Sequence, residues 1–147
     1  MEDIKALIRF VLEQGFTMSL GTVDKDGVWV SDVTYIHDSD FNIYWLSRTN
    51  LRHSEAIISN PNVSGAITLG DNPEKKVIGI QISGVAEKIK GEFQEIAVKR
   101  EIKAGEARQA VSDGILYPNV SWYRLRPKRI ELMHVPLFGF EKKILNL

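Results

Sequence analysis

Two basic residues at the expected start of a helix are the strongest chemical signal in the sequence. They are Arg52 and His53, within the stretch YWLSRTNLRHSEAIISNPN that runs from Tyr44 to Asn62. A helix N-terminus carries about half a positive charge, so a cation placed there costs about 0.3–1 kcal/mol. A sequence that accepts this cost twice suggests that the two side chains hold something negatively charged.

The groups expected around this helix start suit a phosphate. A strand is expected to end at Ser47, and Asn50 is a good N-cap candidate. The backbone N–H groups of the first helical turn would then point outward beside the Arg52 and His53 side chains. The hydroxyls of Ser47 and Thr49 would lie next to them. Charge-assisted hydrogen bonds contribute about 1.5–3 kcal/mol each, so several of them would outweigh the dipole penalty.

A simpler alternative remains for this segment, in which Arg52 pairs with Glu55 or faces solvent.

The rest of the sequence has fewer residues suited to catalysis or metal binding. Because there is no cysteine, disulfides, thiolate catalysis and cysteine metal sites are excluded. His37, His53 and His134 share no i, i+4 spacing, so we expect no metal site.

The sequence also lacks a dinucleotide fingerprint, a P-loop and a nucleophile elbow, and no catalytic residue can be named. If the protein is an enzyme, a cofactor is therefore expected to carry the chemistry.

Length and composition indicate one ordinary globular domain. The chain has 147 residues, which we assign to a single domain over 1–147, and its 19 basic and 19 acidic residues give a net charge of zero. This balance does not favour a nucleic-acid partner or a membrane surface. Apolar runs stay shorter than the ~18 residues of a membrane helix. The charged N-terminal segment lacks a signal-peptide core, so we expect a cytoplasmic protein.

Hydrophobic periodicity predicts short helices and strands. Apolar residues at helical spacing indicate an amphipathic helix over residues 2–14, which Gly15 ends as a C-cap. Alternation with a period of two then indicates strands. The strands are expected over 16–21, 28–37, 41–47, 63–69, 78–89, 120–126 and 128–135, with further helices over 50–60 and 91–105 and a loop over 70–76.

The connections favour an antiparallel arrangement. DKDG, from Asp24 to Gly27, is typical of a hairpin turn. A phase shift near Ser31-Asp32 predicts a bulge or burial on both faces, and Pro127 is expected to separate the last two strands. The apolar tail PLFGFEKKILNL is expected to pack on the domain. These features predict a mainly β fold, a small antiparallel barrel of six or seven strands with short helices.

The order of these parts resembles the pyridoxamine 5'-phosphate oxidase-like, FMN-binding split barrels. The resemblance lies in the helix, the hairpin, the third strand with its basic helix start, and the NPNV segment at residues 60–63. ISGVAEKIKGE (82–92) is similar to the fifth strand and following helix of that superfamily, and WYRLRPKRIEL (122–132) to its closing hairpin. Length and the ending FGFEKKI are most similar to a small bacterial subfamily.

This resemblance implies a homodimer with FMN at the subunit interface. It implies that the FMN phosphate is surrounded by Ser47, Arg48, Thr49, Arg52 and His53. On the second strand, the isoalloxazine edge would be lined by Val33, Thr34 and Tyr35, and on the fifth strand Gln81 would bond the ring or ribityl chain. The partner subunit would contribute Trp122 and Lys142.

Departures from the family pattern refine these expectations. Family members often have Ser-Arg-Lys or Ser-x-Lys at the helix start, where this chain has Leu51-Arg52-His53, and the basic residue that many carry on strand two is missing. Because histidine is only partly charged at neutral pH, FMN is expected to bind weakly, or more tightly below pH 7. The Arg-x-His substrate motif of the true oxidase is absent, so we do not predict pyridoxamine phosphate oxidation.

The leading hypothesis is therefore an FMN-dependent oxidoreductase with an unknown small-molecule substrate. A second is a flavin- or heme-binding sensor or carrier without turnover, and a deazaflavin is an alternative cofactor. A third is a cofactor-free split-barrel dimer.

Overall fold

The computed structural model describes residues 3–70, 77–90 and 119–147 of the chain. The helix expected over 91–105 and most of the loop expected over 70–76 lie outside these residues. In chain order the elements are α1 (Ile4–Gln14), β1 (Thr17–Asp24), β2 (Gly27–His37), β3 (Ile43–Arg48), α2 (Arg52–Ser59), β4 (Asn62–Leu69), β5 (Ile78–Ile89), β6 (Val120–His134), α3 (Val135–Phe138) and β7 (Lys143–Asn146).

The strands form one antiparallel sheet that closes on itself. Their order is β3-β2-β1-β4-β5-β6-β7, and β3 also pairs with β6, so β1 to β6 make a barrel to which β7 is added. Alternate residues of each strand point inward, as the period of two requires. This confirms the predicted mainly β, six- to seven-stranded split barrel. The inward set includes Met18, Leu20, Tyr35, Ile43, Trp45, Ile67, Ile80, Leu125, Ile130 and Leu132.

The hairpin between β1 and β2 forms where the sequence predicts it. Asp24 pairs with Gly27, and Lys25 and Asp26 form the two-residue loop. Gly27 has φ +113°, a value that favours glycine. The DKDG segment therefore fixes the register of the hairpin, whose tip lies next to α2.

The bulge expected near Ser31-Asp32 was wrong, because the β1–β2 register runs continuously from Thr17–Thr34 to Asp24–Gly27. The other alternative, burial on both faces, applies only further along the strand. The first half of β2 is exposed in this chain, whereas Tyr35 and Ile36 near its end are buried on opposite faces.

Pro127 does not divide the last part of the barrel into two strands, as was expected. β6 continues through it, and the register with β5 shifts at Ser83/Gly84, where Gly84 pairs with Pro127 and Ser83 with Arg129. A bulge tolerates a proline because the ladder there does not need its missing N–H. The proposed closing hairpin is thus one long, irregular strand.

The two chain ends described by the structure cover parts of the barrel. α1 packs Ile8, Val11 and Leu12 into the core, and the Gly15 N–H caps it by donating to the Val11 carbonyl at 2.9 Å. The apolar tail packs as predicted, because β7 pairs with the second half of β6. Among the residues described here, no helix is long and apolar enough to cross a membrane.

Candidate functional site

A tight turn joins the end of β3 to α2, and hydrogen bonds hold the residues of the predicted phosphate site in place. The Thr49 N–H donates to the Asn119 carbonyl at 2.6 Å, which ties the turn to the start of β6. The Ser54 hydroxyl donates to the Arg48 carbonyl at 2.7 Å, and the Leu51 N–H bonds the same carbonyl at 3.4 Å. The end of a strand and the start of a helix are therefore held in one position.

α2 begins one residue later than expected from the candidate N-cap. The N-cap is Leu51 and not Asn50, and its hydrocarbon side chain cannot accept a hydrogen bond. The N–H groups of the first helical turn have no partners within the helix. The main chain at Arg52, His53 and Ser54 therefore presents donors that suit an anion.

Arg52 is already engaged by a carboxylate of the same chain. Its Nε donates to Asp24 Oδ2 at 2.8 Å and its Nη2 to Asp24 Oδ1 at 3.1 Å. The guanidinium also lies over the Trp29 ring, 4.5 Å from the centroid. The Arg52 hydrogen bond lowers the pKa of the Asp24 carboxyl, so this pair stays ionised at neutral pH.

His53 is buried beside Ser47 at the start of α2. It is 7% exposed, and its Nε2 lies 3.0 Å from the Ser47 hydroxyl oxygen. Burial lowers the pKa of the imidazole below its ordinary value. This lowered pKa opposes the expected gain of charge by His53 just below pH 7, and tighter FMN binding below pH 7 stays a prediction.

The predicted phosphate residues lie together, but their side chains fit a phosphate only in part. Ser47 and Arg48 end β3, Thr49 lies in the turn, and Arg52 and His53 begin α2. The uncapped main chain of α2 and the exposed Arg48 fit an anion. The buried imidazole is less suited to one, and the Arg52 fork faces Asp24. A phosphate here would rely mainly on backbone N–H groups.

The second-strand residues are divided between the two faces of the sheet. Val33 and Tyr35 are 6% and 0% exposed and belong to the barrel core, where the Tyr35 hydroxyl donates to the Leu12 carbonyl at 2.7 Å. Only their main-chain atoms can meet a ligand outside the barrel. Thr34 alternates with them and lies opposite Thr17 on the outer face.

Gln81 and Lys142 contact each other within one chain. The Lys142 ammonium donates to the Gln81 side-chain oxygen, and it lies 3.7 Å from the Glu131 carboxylate. Gln81 is exposed on the outer face of β5, as the expected contact with a flavin ring requires. An approach of Lys142 toward a partner subunit stays a prediction.

Trp122 is a packing residue. Its side chain is 2% exposed and forms a second apolar cluster with Ile36 and Tyr44 on the face opposite the barrel core. This packing within one chain gives no support to an approach of Trp122 to a cofactor in the partner subunit, which stays a prediction.

Two residues of this site, Asp24 and Trp29, are not predicted by local sequence patterns. Asp24 lies 28 positions before Arg52 and sits in a turn, where aspartate is expected for backbone reasons. The signal that could have found them is the hairpin register, which brings Asp24 and Trp29 to one end of β1–β2, close to α2. In the part of the chain that the structure describes, His, Asp and Glu side chains form no cluster of three suited to a metal.

Comparison with known proteins identifies the family. The sequence model described as Pyridoxamine 5'-phosphate oxidase matches residues 4–134, which covers the barrel from α1 to the end of β6. The chain belongs to this family. It is also 25% identical, over 144 residues, to a UPF0306 protein of Photorhabdus laumondii, and the match covers 97% of this chain and 94% of that protein.

Solved structures share the fold at low sequence identity. The heme storage protein HutZ of Vibrio cholerae superposes with a TM-score of 0.70 at 16% identity, covering 99% of this chain and 95% of its own. A structure described as an F420 reductase superposes with a TM-score of 0.66 at 16% identity, covering 88% of this chain and 98% of its own. The fold thus occurs in proteins whose names state different cofactors.

Proposed function

We propose that this chain binds FMN with its phosphate at the N-terminus of α2 and acts as an oxidoreductase on a small molecule. The observation that carries the proposal is that the N-cap of α2 is Leu51, which leaves the first-turn N–H groups without a side-chain cap. Membership of the pyridoxamine 5'-phosphate oxidase family supports it.

Each part of the proposed site has a separate task. The N–H groups of Arg52, His53 and Ser54 would donate to the phosphate, and the exposed Arg48 at the end of β3 would add positive charge. Exposed polar groups on the outer face, including Gln81, would orient the ring. A bound flavin would supply hydride or electron transfer.

The proposal includes a homodimer, because a narrow barrel filled by its own side chains has no room for a cofactor inside. The outer face of the β1–β2 hairpin is apolar, since Val28 and Val30 are 75% and 62% exposed. Burial of these valines against a second copy would complete a site between subunits.

A carrier or sensor of heme or a flavin, without turnover, is the second candidate. The engagement of Arg52 by Asp24 and the burial of His53 favour it, because a chain with few free cations holds a phosphate weakly. A deazaflavin in place of FMN, or a dimer without a cofactor, are the other outcomes.

The test is a flavin titration of the purified protein, preceded by its visible spectrum. We expect Arg52→Ala to weaken FMN binding at least tenfold, or about 1.4 kcal/mol, because the change removes a cation and leaves Asp24 unpaired beside the phosphate. Arg126→Ala is the matched control, since Arg126 lies on β6 and only approaches Glu87 at 3.6 Å.

Three results would separate the candidates. Unchanged FMN affinity in Arg52→Ala would remove Arg52 from the site. A colourless protein whose spectrum FMN does not alter would favour the dimer without a cofactor. A flavin-loaded sample that never consumes reduced nicotinamide with any acceptor would favour the carrier.

A further inference from the structure

We propose that Asp24 competes with the phosphate of the cofactor for Arg52 and thereby lowers the affinity of this chain for phosphate-bearing flavins. This inference rests on the proposed function and assigns a specificity-determining role to a residue of the β1–β2 hairpin.

The competition follows from which nitrogens Asp24 occupies. Its two carboxylate oxygens bond Nε and Nη2 of Arg52, one of the two edges of the guanidinium that bind an anion with two parallel bonds. The two N–H groups of Nη1 and the second N–H of Nη2 stay outside the pair. A phosphate must therefore either displace Asp24 or bind the other edge, next to a carboxylate that neutralises the charge of Arg52 and repels the phosphate.

Both partners of this ion pair are held in place by other contacts. Asp24 Oδ1 also accepts the Asp26 N–H at 2.9 Å, which fixes the carboxylate in the hairpin turn. The Arg52 guanidinium lies 4.5 Å from the centroid of the Trp29 ring. The Asp24 side chain is 17% exposed. The pair is therefore preformed, and its geometry does not depend on a ligand.

The charges around Arg52 also disfavour the binding of a phosphate. The cleft between the hairpin tip and α2 is lined by three carboxylates, those of Asp24, Asp26 and Glu55, and by two cations, Lys25 and Arg52. An incoming phosphate dianion therefore meets an excess of negative charge. Removal of one carboxylate should favour its binding, and most strongly if that carboxylate also occupies Arg52.

The experiment compares FMN with riboflavin, which has the same ring and no phosphate. In Asp24→Asn, the amide oxygen can still accept the Asp26 N–H, so the turn is preserved. We expect the FMN dissociation constant of Asp24→Asn to fall at least tenfold below that of the wild type. The riboflavin dissociation constant should stay unchanged, because riboflavin does not need Arg52.

Asp26→Asn is the matched control. It removes one charge from the same hairpin, and Asp26 acts on Arg52 through space, without the two hydrogen bonds that Asp24 makes. We expect a gain in FMN affinity much smaller than that of Asp24→Asn. The gain should disappear in the double variant Asp24→Asn/Arg52→Ala. An Asp24→Asn protein that binds FMN no more tightly than Asp26→Asn would overturn the proposal.

A second measurement separates this inference from the proposed function. ¹⁵N NMR follows the Nε–H resonance of Arg52 during titration with inorganic pyrophosphate. We expect the resonance to move in Asp24→Asn at concentrations at least tenfold lower than in the wild type. If the resonance moves at these lower concentrations in Asp24→Asn while FMN binds to none of the proteins, the proposed function fails and the competition between Asp24 and a phosphate for Arg52 stands. If the resonance responds equally in both proteins, or in neither, the competition is overturned.

Discussion

His53 shows at the scale of one residue how the site departs from the family pattern. Family members often carry a lysine at this position, and a lysine would extend toward solvent with a permanent charge. The shorter imidazole lies inside, 7% exposed and next to the Ser47 hydroxyl. It contributes to the packing of α2 against the barrel, and the site loses one cation.

Acidification should therefore destabilise the protein through His53. The unfolded chain has the ordinary histidine pKa of about 6.5, whereas burial lowers the pKa in the folded state. As the pH falls below about 6.5, the unfolded chain gains a proton that the folded protein does not take up. The free energy of unfolding then decreases until the pH reaches the folded-state pKa.

Urea unfolding between about pH 7.5 and about pH 5 measures this effect. In His53→Gln, which keeps a polar partner for Ser47, the free energy of unfolding should decrease less over this interval than in the wild type. Equal decreases in the two proteins would mean that folding does not lower the pKa of His53.

The site was predictable from sequence only where its residues are neighbours in the chain. The segment from Ser47 to His53 could be found because strand end, turn and helix start are consecutive. The partner of Arg52 could not, because Asp24 comes from another hairpin and looks like an ordinary turn residue. Long-range pairing decides whether a basic side chain is available to a ligand.

At the scale of elements, the strands were predictable because alternation reports which face is buried. The irregular parts were not. Pro127 was expected to end a strand, and only its partner across the sheet explains why β6 continues. Gly84 faces Pro127, so the two irregular residues occupy one bulge. A single strand examined alone cannot reveal such a pairing.

Substitution of Gly84 should disturb this bulge. A Cβ at Gly84 would clash with the Arg126 carbonyl oxygen and would lie 2.9 Å from Pro127 Cα. Since both are backbone atoms that cannot rotate away, we expect Gly84→Ala to lower the free energy of unfolding by about 1–3 kcal/mol. Urea denaturation measures this loss.

Gly65→Ala is the control for this prediction. Its Cβ would meet the Met18 sulfur at 2.6 Å, and a methionine side chain can adopt another rotamer. We expect a smaller loss of stability. A Gly84→Ala protein as stable as Gly65→Ala would show that β6 can shift at the bulge.

At the scale of the whole molecule, the β1–β2 hairpin presents an apolar surface that one chain leaves uncovered. Val23 pairs with Val28, and Val30 follows on the same face. Their exposed fractions are 40%, 75% and 62%. Adjacent valines of this exposure are typical of a protein–protein contact, which agrees with the proposed homodimer.

Val30→Lys should therefore shift the protein toward monomer in analytical sedimentation at roughly micromolar concentration, because a buried ammonium group opposes association. Ile58→Lys is the control, since Ile58 is 69% exposed and lies on α2, outside the row of valines on the hairpin. If only the Ile58 variant dissociates, the contact surface lies at α2. A wild type that sediments as a monomer would count against the shared site.

The contact between Trp29 and Arg52 gives the protein an intrinsic optical reporter. Of its three tryptophans, Trp45 and Trp122 are 0% and 2% exposed, whereas Trp29 is 43% exposed. Collisional quenching by acrylamide in solution acts mainly on the accessible indole. The quenched fraction of the emission therefore originates from the ring that stacks on Arg52, so changes around that guanidinium can be followed by fluorescence without an added label.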